Sequence, residues 1–228
     1  MSDRRGDIRG DRGRLAARLA AWLLSAGLCA GASAADLQVR VLQLDGKPLP
    51  GAVVTVHALG AHAAPAPLQA VMDQIDLAFV PDLLVIPVGS TVSFPNTDKT
   101  GHEVYSFSSP HPFKLGLYRG KPYPPEHFDQ VGLVTLGCNI HDAMLAYILV
   151  TDAAYYGRTG ADGSWVQPDA TRGRYRIEVW NPRLQESGQV LKQEVEVDAG
   201  ERVTVQLRAT HALRPAQLQM RPHSWDAY

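Results

Sequence analysis

From residue 35 onward the chain offers no stretch with apolar residues at helical spacing. In its place stand short apolar or alternating runs, among them "LQVRVLQL" (37–44), "GAVVTVHAL" (51–59), "LLVIPV" (83–88), "HEVYSF" (102–107), "FKLGLY" (113–118), "LVTLG" (133–137), "AYILV" (146–150), "RYRIEVW" (174–180) and "RVTVQL" (202–207). Turn signals such as "DGKPLPG", "FPNTDKTG", "GADGS" and "DAGE" separate them. Many short strands between turns cannot bury their apolar faces as helices, and they predict an all-β chain of antiparallel sandwiches or barrels. The Ala- and Pro-rich stretch 61–69 reads as a linker. The segment from 211 to 228 has no period and reads as a loosely ordered tail.

The first 34 residues stand apart. Six arginines precede the apolar run "LAAWLLSAGLCA", and "ASA" at 32–34 supplies a small-x-small cleavage site. This is the pattern of an export signal, with an apolar run too short to span a membrane comfortably. The expected location is therefore the periplasm, with no membrane insertion of the mature protein. Removing 1–34 takes six basic and three acidic residues and leaves 16 basic against 20 acidic. That balance gives no basic surface for nucleic acid. It also removes Cys29 and leaves one cysteine, Cys138. A lone thiol in an oxidising compartment is open to oxidation unless it is buried or ligated.

The neighbours of that cysteine suggest ligation. "GCNIHDAM" follows a strand and precedes another, so Cys138, His141 and Met144 share one short loop. A fourth group must come from elsewhere, and His102 opens the strand "HEVYSF". Period 2 puts His102, Val104 and Ser106 on one face, which Val104 marks as the inner one. Two imidazoles, a thiolate and a thioether suit copper: His2Cys with a weak axial Met is the blue-copper electron-transfer set. Zinc sites do not use thioethers, and iron–sulfur or haem attachment needs more cysteines or a C-x-x-C-H run. Soft thiolate and thioether donors also leave a Cu(I) chaperone or storage protein open, and a metal-free sandwich is a third reading. Cys138 and His141 on one tight loop make a poor nucleophile–base pair, and no hydrolase triad stands out, so no enzyme activity is expected.

These motifs resemble the cupredoxins. "CNIHDAM" has the C-x-x-H-x-x-M spacing of amicyanin, "FPNTDKTGHEV" is similar to the N-x5-H-x-V segment that carries the first histidine, and "VIPVGSTVSFPN" resembles the strand before it. The chain as a whole is similar to small periplasmic proteins labelled methylamine utilisation proteins. The resemblance implies a Greek-key sandwich over 63–152, a copper ion held by His102, Cys138 and His141 with Met144 axial, and Asn96 as the asparagine whose backbone lies against the cysteine sulfur. It implies a one-electron carrier that works between redox partner proteins, with His141 at the exit edge. Asp142 departs from the proline that amicyanin has after its loop histidine. The flanks, "DGKPLPGAVVTV" and "TGADGSW…GRYRIEVWNP", resemble a carboxypeptidase regulatory-like, transthyretin-like sandwich split in two. The copper domain is then expected as an insertion between 35–62 and 153–210.

The remaining histidines, at 57, 62, 111, 127, 211 and 223, share no metal-ligand spacing and are expected at the surface. Tyr155, Tyr156, Trp165 and Trp180 are expected to pack the outer module.

Overall fold

The computed structural model describes residues 35–120, 123–186, 191–198, 200 and 202–213. The expected export signal at 1–34, and the tail from 214 onward, lie outside the described residues. Within them the chain is all-β apart from one short helix.

Strands β1 (Ala35–Leu42) and β2 (Val53–Ala58) come first. The chain then runs through β3 (Gln69–Val71), β4 (Asp73–Ile75), β5 (Ala78–Val80), β6 (Leu83–Pro87), β7 (Ser90–Ser93), β8 (His102–Ser106), β9 (Phe113–Tyr118), β10 (Glu126–Phe128), β11 (Gly132–Gly137) and β12 (Leu145–Thr151). It closes with β13 (Tyr155–Arg158), β14 (Ser164–Ala170), β15 (Gly173–Trp180), helix α1 (Pro182–Glu186), β16 (Leu191–Val197) and β17 (Val203–Arg208).

The ends of the chain build one sandwich, with a three-stranded sheet β14-β1-β17 and a four-stranded sheet β13-β2-β15-β16. Alternation fixes its core. Leu37, Val39 and Val41 of β1, Val54 and Val56 of β2, and Tyr175, Ile177 and Val179 of β15 are buried in one cluster, while Arg40 and Arg174 face solvent. On the outer face of β15 and β16, Arg174 pairs with Glu194, and Glu178 takes both Arg176 and Lys192.

The middle of the chain builds a second core. The five-stranded sheet β6-β12-β11-β8-β9 faces β10-β7-β3 and the β4-β5 hairpin. Between them lie Met72, Phe79, Ile86, Phe94, Val104, Phe128, Leu136 and Ile148, and Cys138 and Met144 belong to the same cluster. The strands β3, β4, β5 and β10 are three residues each, too short for a period to register in the sequence.

The chain leaves the outer sandwich after β2 and re-enters it at β13, which pairs with β2, Tyr155 opposite Val56. β2 also pairs with β15, Val54 opposite Val179. One side chain closes this seam. Thr159 Oγ1 accepts the Ala52 N–H at 2.9 Å and donates to the Leu49 carbonyl at 2.7 Å, across more than a hundred residues of sequence. At the "ADGS" turn, Gly163 has φ +73°, and a β-carbon there would lie 2.6 Å from the Val41 carbonyl oxygen. Only glycine meets both demands.

Trp180 corrects an expectation. Tyr155 and Trp165 pack against the outer core, but Trp180 stands edge-on to Tyr147 of β12, with ring centroids 5.2 Å apart. The reason is the strand period: Tyr175, Ile177 and Val179 point inward, so residue 180 points to the opposite face. That face, with Thr55, His57 and Leu149, lines a cleft of about 500 Å³. His57, expected at the surface, is half-buried there and bonded to Thr55 Oγ1.

Thr159→Val keeps the shape and strands a buried N–H. It should lower stability by about 1–3 kcal/mol, read as a lower urea midpoint at unchanged slope.

Candidate metal centre

His102 is the first residue of β8, and its side chain is 0% exposed. A register shift between His102 and Val104 in the pairing with β9 marks the end of regular sheet at this point. His102, Val104 and Ser106 are all buried, as the strand period predicts. β11 runs to Gly137 and delivers Cys138, itself buried, just beyond the last ladder position. Gly137 stands opposite Tyr105, and a β-carbon there would come 2.8 Å from the Tyr105 ring. The glycine lets that ring lie over the backbone immediately before the cysteine.

Residues 138–144 then form the loop to β12. Its turn is closed by the Met144 N–H on the His141 carbonyl at 2.9 Å. Its start is tied to β8 by Asn139 Nδ2 donating to Glu103 Oε2 at 2.7 Å. Lys114 lies 3.4 Å from the same carboxylate oxygen. The Asn139 bond, with Lys114 adding to it, holds the Glu103 carboxyl below its usual range.

These elements bring three donor atoms together. His102 Nδ1 lies 3.2 Å from His141 Nδ1 and 3.9 Å from Cys138 Sγ. All three ligand atoms fall within 4.8 Å of one another, and among the described residues this is the group of His, Cys, Asp and Glu side chains so arranged. Met144 is buried and belongs to the same apolar cluster as Cys138. His141 and Asp142 reach the surface, and Ile140 is exposed. Burial and the neighbouring His102 push the His141 pKa down, against a smaller opposing pull from Asp98.

Asp98 is the polar partner that sequence reading missed. Its Oδ2 accepts from His102 Nε2 at 3.0 Å and from the Leu77 N–H at 2.8 Å. Oδ1 accepts from the Lys99 N–H at 2.6 Å. Burial alone pushes the carboxyl up, but the Leu77, His102 and Lys99 donors outweigh it and hold Asp98 below the usual carboxylate range. In the sequence, Asp98 is one more polar residue of a turn. Its spacing of four before His102 is a visible signal but not a distinctive one.

Asn96 is buried, and its side chain is tied into this loop. Its Nδ2 donates to the Thr100 and Tyr118 carbonyls at 3.0 and 2.9 Å, and its Oδ1 accepts from the Asp98 N–H at 3.0 Å.

No protein-family profile matches the chain, and no curated protein matches it. Solved structures similar to part of it include a purple cupredoxin from Nitrosopumilus maritimus, at 21% identity over 36% of this chain and 99% of that one, TM-score 0.31. A mutant of amicyanin in its reduced Cu(I) form is 19% identical over 42% of this chain and 99% of that one, TM-score 0.34. A copper-containing nitrite reductase from Thermus scotoductus SA-01 is 27% identical over 49% of this chain and 28% of that one, TM-score 0.34.

The burial of Cys138 has a direct chemical consequence. In the folded, metal-free protein the thiol should react with an aromatic disulfide reagent at least about tenfold more slowly than in urea. Zn(II) should slow the native reaction further if the sulfur faces the two imidazoles, and a thiol unaffected by zinc would mean that the donors do not share an ion.

Proposed function

We propose that this chain is an exported copper protein that carries one electron at a time between redox partner proteins. The observation that carries the reading is the convergence of one ligand atom each from His102, Cys138 and His141 within 4.8 Å, with the cysteine buried. Two imidazoles and a thiolate fit copper, and a buried Met144 on the loop that carries Cys138 and His141 fits a weak axial thioether. In this reading His102, Cys138 and His141 are the strong ligands, Met144 is the axial one, and copper supplies the Cu(II)/Cu(I) couple.

The rest is done by the protein. β8 carries His102 and the end of its partner β11 delivers Cys138, so both move little when charge changes. Phe94, Val104 and Leu136 belong to the buried apolar cluster that also holds Cys138. His141, half-exposed on its loop, is the route to the surface, and Asp142 sits at that edge as a weak electrostatic contact for a partner. The two sandwiches are read as a copper domain inserted into a regulatory-like domain, because chain exit and return lie on the adjacent strands β2 and β13. Export rests on the arginine-rich and apolar pattern of residues 1–34. Among the described residues no helix is long and apolar enough to cross a membrane.

The test is optical. Cu(II) added to the metal-free protein should give an intense visible charge-transfer band, and Cys138→Ser should abolish it. His102→Ala and His141→Ala should weaken binding or open the site to water. Met144→Leu conserves volume and should cost less than about 1.5 kcal/mol in stability, while raising the reduction potential. A colourless protein that takes up only Cu(I) would convert the reading to a copper carrier. Stoichiometric zinc with no preference for copper would end both.

A further inference from the structure

A fully buried imidazole needs both ring nitrogens accounted for. His102 points Nδ1 at Cys138 and His141 and turns Nε2 to Asp98, whose side chain is 8% exposed. A carboxylate accepts and does not donate, so Nε2 carries a ring proton, and in the neutral ring the lone pair is then on Nδ1. With that ring neutral, the 3.2 Å contact between the two Nδ1 atoms is a bond donated by His141.

The carboxylate is itself held in place. Residues 96–98 are fastened one after another: Asn96 to Thr100 and Tyr118, the Thr97 N–H and hydroxyl to Asp73 at 3.1 and 2.9 Å, and Asp98 to Leu77 and Lys99. Asp73 and Leu77 both belong to the β4–β5 hairpin. The two-residue turn of that hairpin has Asp76 at φ 49° and Leu77 at φ 59°. A left-handed leucine is unfavourable and persists where the surroundings require it. Here the turn aims the Leu77 N–H at Asp98 Oδ2.

We propose that Asp98, set by the β4–β5 hairpin, is the positioning residue of the metal centre: it locks His102 in the Nε2–H tautomer and adds a negative charge behind that ligand. The inference rests on the proposed metal site and deepens it. The lock makes His102 a ready ligand before any ion arrives. The charge favours the more positive oxidation state and so lowers the reduction potential. Orienting partners of this kind are worth about 10–100-fold in metal affinity.

Two substitutions in the full mature protein separate the two roles. Asp98→Asn keeps an acceptor and removes the charge. It should preserve the Nε2–H signal of His102 in ring ¹⁵N NMR of the metal-free protein, and raise the potential of the copper-loaded one. Asp98→Ala removes both. It should abolish the slowly exchanging ring proton and weaken Zn(II) and Cu(II) binding about 10–100-fold. Leu77→Gly relieves the strained turn and retains the N–H, and should leave the ring proton and metal affinity unchanged.

A parent protein whose metal-free His102 already carries its proton on Nδ1 would overturn the proposal. So would an Asp98→Ala protein with unaltered tautomer and affinity. Should Asp98→Ala not fold, the potential of Asp98→Asn decides, and an unchanged potential overturns the role of the charge. If the parent gives no copper colour while tautomer and zinc affinity still depend on Asp98, the electron-carrier reading fails and this one stands.

Discussion

The pairing of β8 with β11 is the constraint on which the site depends. Tyr105 lies opposite Gly137, and that one register places His102 and Cys138, 36 residues apart in sequence, within 3.9 Å of each other. A slip by one residue would turn every side chain of a strand to the other face. His102 would then face solvent, while Glu103 and Tyr105 entered the core. The core residues Val104, Val134 and Leu136 therefore protect the register and the site with the same contacts. Gly137 contributes by leaving room for the Tyr105 ring above the strand.

Burying an imidazole and a thiol at the end of an apolar core has a desolvation cost unless their polar atoms find partners. The fold answers with a layered arrangement. Asp98 takes the outer nitrogen of His102, backbone N–H groups take Asp98, and Asp73 fastens the loop from the side. On the opposite flank Glu103 ties the start of the ligand loop through Asn139.

The outer sandwich has a different economy. Its partners in sequence are distant: β1 lies beside β14 and β17, and β2 beside β13 and β15. Closing such separations is entropically costly, and it slows folding of sheets that rely on it. β13 follows β12 within a few residues and pairs with β2. Thr159 then seals the seam with two buried hydrogen bonds.

Much of this was legible in the residues. Alternation in "LQVRVLQL", "RYRIEVW" and "HEVYSF" gave the strands and their inner faces, because a period of two survives without knowledge of partners. "FKLGLY" matches β9 residue for residue. The ligand-type residues were legible because cysteine, histidine and methionine on one loop have few uses in common. The three-residue strands and the face of Trp180 were not, the former because so short a run has no period, the latter because Trp180 goes with the alternation of "RYRIEVW" although Tyr175, Ile177 and Val179 hold the inward parity. Sequence by itself determined the all-β class, the candidate donors and the inward side of His102. Tertiary structure alone decided that His102 and His141 present Nδ1, that Asp98 is the group behind His102, and that the β4–β5 hairpin aims it. Those choices depend on distances and hydrogen-bond directions between segments far apart in the chain, and a one-dimensional pattern carries neither.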